Sequence, residues 1–100
     1  MNNTKILRNF KCVCGTLPLV QVVKKQYTSG EIALYIEVGF DGPRETLMIA
    51  SCWVPGIPDG CVAIKDFAEN FGCLSALTNA GVIDDPHGFI EDIPICRILF

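Results

Sequence analysis

The stretch Val62-Ala63-Ile64-Lys65-Asp66-Phe67-Ala68-Glu69-Asn70, continuing through Gly72, Leu74 and Leu77 to Ala80-Gly81, decides the fold of this chain. Val62, Ala63 and Ile64 form a short apolar run, which predicts a strand over 61–65. Asp66 then opens a helix. Its carboxylate can accept from the free amide of Glu69 while Glu69 reaches back to the amide of Asp66, a capping box with Asp in place of Ser or Thr. Phe67, Phe71, Leu74 and Leu77 recur at spacings of four, three and three, so one apolar stripe should pack on a sheet. Gly81 supplies the left-handed residue that ends the helix. Gly72, inside the predicted helix, costs up to about 1 kcal/mol relative to Ala and points to a close approach of some neighbour to its backbone.

Working outward, residues 31–38 place Ile32, Leu34, Ile36 and Val38 at alternate positions, the period of a half-buried strand. Residues 17–23 read as the strand before it and 46–54 as the strand after it, with Gly39 to Pro43 as the turn between the last two. Pro55-Gly56-Ile57-Pro58-Asp59-Gly60 cannot stay in a ladder and is a loop. A final strand covers 89–100, and Pro94, which lacks an amide donor, marks it as an edge or a bulge. The expected fold is therefore α+β: an antiparallel sheet of about five strands with one main helix on one face, in the order ββββαβ. A bare edge ending in Ile98-Leu99-Phe100 is unusually apolar, which suggests pairing with a second copy as a homodimer.

The chain has 100 residues, half of them hydrophobic, so one domain over 1–100 can bury a core without metal or disulfide staples. No run approaches the roughly 18 apolar residues of a membrane span, and the start shows no apolar stretch behind its basic residues, so a cytoplasmic location is expected. Six cysteines admit a disulfide framework, but Cys52, Cys61, Cys73 and Cys96 fall singly where cysteine acts as a small hydrophobe, and reduced thiols are expected. Cys12 and Cys14 form the one close pair, yet a zinc site wants a second one, so no metal and no cofactor is expected. Residues 1–30 hold Lys5, Arg8, Lys11, Lys24 and Lys25 and no acid, whereas 31–100 hold all eleven acids against Arg44, Lys65 and Arg97. The basic start lacks the arginine and aromatic density of a nucleic-acid surface, so no direct nucleic-acid partner is expected. Compensation between the basic N-terminal strand and the acidic remainder is the simpler reading.

Catalytic chemistry is sparse. His87 is the only histidine, and with Asp85 and a cysteine it could form a nucleophile set on paper, but a histidine in a solvated turn is the expected reading. Glu31, Glu37, Asp84, Asp85, Glu91 and Asp92 supply carboxylates, with nothing to place two of them in an apolar cleft. The two Gly-containing loops lack the Lys-Ser/Thr of a phosphate cradle. Asp84, Asp85, Glu91 and Asp92, with Asp59, form either an acidic patch that meets a basic groove on another protein or an ordinary solvated surface. Trp53, between Cys52 and the proline loop, is either an exposed aromatic anchor or a lid on the core.

Val62-x-Ile64-Lys65-Asp66-Phe67-x-Glu69-Asn70-x-Gly72-x-Leu74-x-x-Leu77-x-x-Ala80-Gly81-Val82 resembles the signature of a family of small bacterial proteins of unknown function carried by plasmids, conjugative elements and phages. Tyr27-x-x-Gly30-x-x-Ala33-Leu34, Gly42-x-x-x-x-Thr46-Leu47 and Gly88-Phe89-Ile90-x-x-Ile93-Pro94-Ile95-Cys96 extend the likeness over residues 20–99. Residues 1–16 form an N-terminal extension outside it, and the loop from Trp53 to Gly60 departs from its pattern. The resemblance implies an α+β fold and a mobile-element setting. Some relatives are associated with inhibition of CRISPR nucleases, so it implies an anti-defence role and brings no catalytic residue. The expected protein is a non-enzymatic inhibitor that binds a host defence nuclease or effector through Asp84, Asp85, Glu91, Asp92, Trp53 and Asn70. The alternatives are a sponge for a nucleotide signal, lined by Arg44, Lys65 or Arg97, and a plasmid accessory protein; a hydrolase built on His87 ranks below them.

Overall fold

A computed structural model describes residues 3–12, 15–39 and 42–100, and within them the strands are antiparallel and one α-helix forms. In chain order the elements are β1 (Thr4–Cys12), β2 (Gly15–Gln26), β3 (Ile32–Val38), β4 (Glu45–Ile49), β5 (Cys61–Ala63), a single 3-10 turn (Ala68–Asn70), α1 (Cys73–Asn79), β6 (Gly88–Ile90) and β7 (Ile93–Arg97). The α+β class holds. The single sheet expected from the sequence is instead two: a four-stranded meander β1-β2-β3-β4 and a three-stranded sheet ordered β5-β7-β6.

The division falls at Ala50 and Ser51. Ala50 N–H still donates to Leu34 of β3 (2.8 Å), but its carbonyl accepts from Lys65 beyond β5 (2.9 Å), and Cys52 N–H donates to Ala63 (3.0 Å). The chain thus leaves the large sheet as β4 ends and bridges to the small one through Ser51 and Ile64. Leaving would orphan the buried amide of Leu34. Ser51 Oγ accepts it at 3.0 Å and also bonds Tyr27 Oη at 3.0 Å, so a side chain replaces the missing ladder carbonyl.

The main core lies between the two sheets and α1, drawing Leu7 and Phe10 from β1, Leu34 and Ile36 from β3, Ile64, Leu77 and Cys96. The region outside the family resemblance is therefore built into the core. β1 carries its two core residues three apart because Asn9 adopts φ 54° and shifts the strand's alternation, turning Arg8 and Lys11 outward. A second cluster, Val54, Cys61, Ala63 and Ile95, covers the other face of the small sheet.

Three expectations need correction. The final strand is two strands, folded back at Glu91 and Asp92, and β7 is the middle strand of its sheet. Its apolar character follows from burial on both faces, so it gives no reason for a second copy to pair there; among the described residues the outer strands are β1, β4, β5 and β6, with Ser51 and Cys52 against the outer side of β5. Pro94 is accommodated where β5 leaves the ladder, its carbonyl taking Ile64 N–H at 3.0 Å. The helix is the third. Ala68 (φ 55°) and Gly72 (φ 90°) both adopt left-handed backbone, which breaks the predicted helix twice and rotates Phe67 and Phe71 out of the stripe. They are 46 % and 67 % exposed, while Leu77 is fully buried. Gly72 is thus a conformational requirement at the start of α1.

Asp66 does cap α1, but by accepting from Leu74 N–H at 2.9 Å across the intervening turn, while Glu69 pairs with Lys65. Gly81 (φ 74°) ends α1 as expected, with Gly81 N–H on Thr78 (3.1 Å) and Val82 N–H on Leu77 (3.0 Å), the paired closure of a left-handed C-terminus. Among the described residues no helix is long and apolar enough to cross a membrane.

Removing the corner hydroxyl leaves the Leu34 amide without a partner in a buried site. Ser51→Ala should therefore destabilise by about 1–3 kcal/mol in urea unfolding; a loss within about 0.5 kcal/mol, the scatter of a neutral surface change, would refute that role. Cys73 and Cys96 are buried, and burial pushes both thiols up to about 12. Both should resist iodoacetamide in the native protein and react once it is unfolded, read by mass spectrometry of their peptides.

Candidate functional site

Four of the six residues singled out in the sequence lie between 84 and 92, in the turn before β6 and in the β6–β7 hairpin. The structure gives them different duties. Asp84 is an internal tie: Oδ1 accepts Arg97 N–H at 2.7 Å, Oδ2 lies 2.5 Å from His87 Nε2, and its own amide donates to Arg97 at 3.1 Å. The His87 hydrogen bond, and then the Arg97 amide and guanidinium, hold its carboxyl below the usual range. Asp85, Glu91 and Asp92 are exposed. Asp84 and Asp85 sit beside the Arg97 end of β7 and Glu91 and Asp92 at its Ile93 end, so the expected patch splits into two groups roughly 15 Å apart along the strand.

Glu91 (φ 53°) and Asp92 (φ 65°) are both left-handed, the backbone of a two-residue turn that Asn-Gly ordinarily occupies. Left-handed backbone is costlier for Glu91 than for Asp92, since Asp tolerates it better than Glu, so the strain sits mainly at Glu91. Phe89, 65 % exposed, projects from β6 beside them. Antiparallel register pairs Phe89 with Pro94 between the closing pair Ile90–Ile93 and the pair Gly88–Ile95, so the Phe89 amide and carbonyl face the open edge.

Trp53 and Asn70 belong elsewhere. Trp53 is half exposed and donates Nε1–H to Glu31 Oε2 at 3.2 Å, the same oxygen that accepts from Ser29 at 2.5 Å. These donors hold the Glu31 carboxyl low, the Ser29 contact foremost. Asn70 is buried and donates to the Ile49 carbonyl at 2.8 Å, which ties the 3-10 turn to the outer side of β4. Its fold duty is thereby explained. Around it, Leu47, Ile49 and Phe67 line an exposed apolar face, and Phe71 is exposed as well, although the sequence reading assigned both phenylalanines to the core. Nothing in the sequence marks Ala68 as the residue that turns this face outward.

His87 takes Asp84, not Asp85, as its partner, and Cys96 across from this turn faces the core with its thiol pushed up to about 12. Lys65 is occupied by Glu69, and Arg97 stands beside Asp84. Cys12 Sγ contacts the Gly15 carbonyl at 3.4 Å; Cys14 lies outside the described residues, as do Phe40 and Asp41. Among the described residues no three His, Cys, Asp or Glu side chains gather as metal ligands. Protein-family models, curated proteins and solved structures were all compared with the chain, and none matches it.

The Asp84 tie has a pH signature. Its pKa is lowered on folding, so its contribution is present above the unfolded-chain value and is lost as pH falls through the lower folded one. Thermal stability should begin to drop as pH falls below about 4. Asp84→Asn, which keeps an acceptor for the Arg97 amide, should be less stable at neutral pH and show a shallower acid decline; parallel melting curves would contradict the assignment.

Proposed function

We propose that this chain is a small non-enzymatic binding protein that inhibits a host defence nuclease or effector, occupying a basic surface on it in one-to-one fashion. The observation that carries the reading is the β6–β7 hairpin: an exposed phenylalanine on an open strand edge, beside two carboxylates held in a turn where they are locally unfavourable. Aromatic anchors supply most of the energy in protein interfaces, and surrounding charge supplies steering and choice of partner. Backbone strain kept at such a tip suits a recognition role better than a folding one. The mobile-element and anti-CRISPR setting comes from the sequence resemblance, with Asp85 and Trp53 as secondary contacts.

The double change Glu91→Asn and Asp92→Gly separates binding from folding. It should raise stability by about 0.5–2 kcal/mol by relieving the turn. In a pull-down against a panel of CRISPR nucleases, and in a plasmid-survival assay, it should also weaken capture and protection. Phe89→Ala should do the same without the stabilisation. No capture and no protection by the unaltered protein would overturn the nuclease reading, and full activity of both variants would remove the hairpin from it.

A further inference from the structure

The basic N-terminal strand is compensated only in part. Lys25 pairs with Glu37 at 3.3 Å and Lys24 donates to the Phe100 carbonyl at 2.7 Å, but among the described residues Lys5, Arg8 and Lys11 of β1 form no ion pair. Two of these cations, Arg8 and Lys11, line a cavity of about 310 Å³ between β1 and α1. Asn9 and Asn79 line it too, Ala76, Ala80 and the edges of Leu7 and Phe10 contribute apolar surface, and among the described residues no carboxylate takes part. The left-handed Asn9 that resets the alternation of β1 is what places Arg8, Asn9 and Lys11 together on this rim.

We propose that this cavity binds a small organic phosphate, a phosphomonoester carrying an apolar or aromatic body. A guanidinium fork, an ammonium and two carboxamides offer donors for several oxygens at once, which suits a phosphate dianion better than a carboxylate. The volume lies at the lower end for a small-molecule site and well exceeds a bare ion, and Ala76 and Ala80 of the helix side, with the narrow exposed edges of Leu7 and Phe10 at its floor, give the remainder of the ligand an apolar surface. The C-terminal end of α1 would oppose an anion here, but Gly81 and Val82 N–H groups occupy the Thr78 and Leu77 carbonyls and blunt that end. This site is separate from the β6–β7 hairpin and does not depend on the inhibitor reading.

Isothermal titration of the full chain with adenosine 5′-monophosphate, inorganic phosphate and adenosine tests it. The monophosphate should bind, inorganic phosphate should bind at least tenfold more weakly, and adenosine should not register. Arg8→Ala and Lys11→Ala should each weaken monophosphate binding by about tenfold, the loss of one charged hydrogen bond. Unchanged far-ultraviolet circular dichroism and melting would show that the fold is intact. Arg44→Ala, an exposed cation outside the cavity, should leave binding unchanged. No monophosphate binding at millimolar concentration would overturn the proposal. So would equal losses in the Arg8, Lys11 and Arg44 variants, which would indicate diffuse charge attraction, or equal affinity for inorganic phosphate, which would remove the organic body.

Discussion

The fold depends on how one buried amide is satisfied. Leu34 sits in β3 with its side chain in the main core, and its N–H faces a position that β4 has already left. Ser51 Oγ occupies that position, Tyr27 holds the hydroxyl from the other side, and the backbone is free to turn toward β5. A carbonyl from a continuing β4 would have served Leu34 equally well, but the chain would then have run on in one flat sheet. With the corner, the sheets face each other and close over Leu34, Ile36, Val62 and Ile64. A hydroxyl that substitutes for backbone thus creates the layer in which the core forms.

The corner also organises the surface. Because β5 begins beyond it, residues 65–72 must cross the outer side of β4 before α1 can start. Lys65 N–H bonds Ala50, Asn70 bonds Ile49, and Asp66 reaches forward to Leu74, so the segment is tied at both ends and in the middle. The left-handed Ala68 and Gly72 let it make that crossing. The same path leaves Phe67 and Phe71 exposed, with Phe67 beside Leu47 and Ile49 in an apolar face made by the route of the chain.

Which features were legible follows from the range of the interactions involved. The Gly81 closure, the alternation of β3 and the turn character of residues 55–60 are local, and their residues announce them. Asp66 was readable as a cap, but its target amide lies eight residues on, beyond the reach of a first-turn rule. The stripe from Phe67 failed because periodicity assumes unbroken helical backbone, and nothing about alanine signals φ 55°. The turn at Glu91 and Asp92 was hidden for a related reason: its residues are not those that left-handed backbone ordinarily selects, so β6 and β7 read as one strand. Phase was also lost in β1, where Asn9 puts Leu7 and Phe10 three apart and disguises two core residues. Of the six site residues, the acids and Trp53 were found as exposed or half-exposed groups. The tying roles of Asp84 and Asn70 depend on partners 13 and 21 residues away.

The strand order of the small sheet sets a sequence of events during synthesis. β5 and β6 share no ladder with each other; each pairs with β7, which follows both in the chain. Until β7 emerges from the ribosome, Val62 and Ala63 have only the short Ser51–Cys52 bridge beside them, and Phe89 and Ile90 have no return partner. The large meander, whose neighbours are consecutive, can form as it is made. A nascent chain stalled before Ile93 would then show a formed meander with its inner face uncovered, a species for chaperones to shelter.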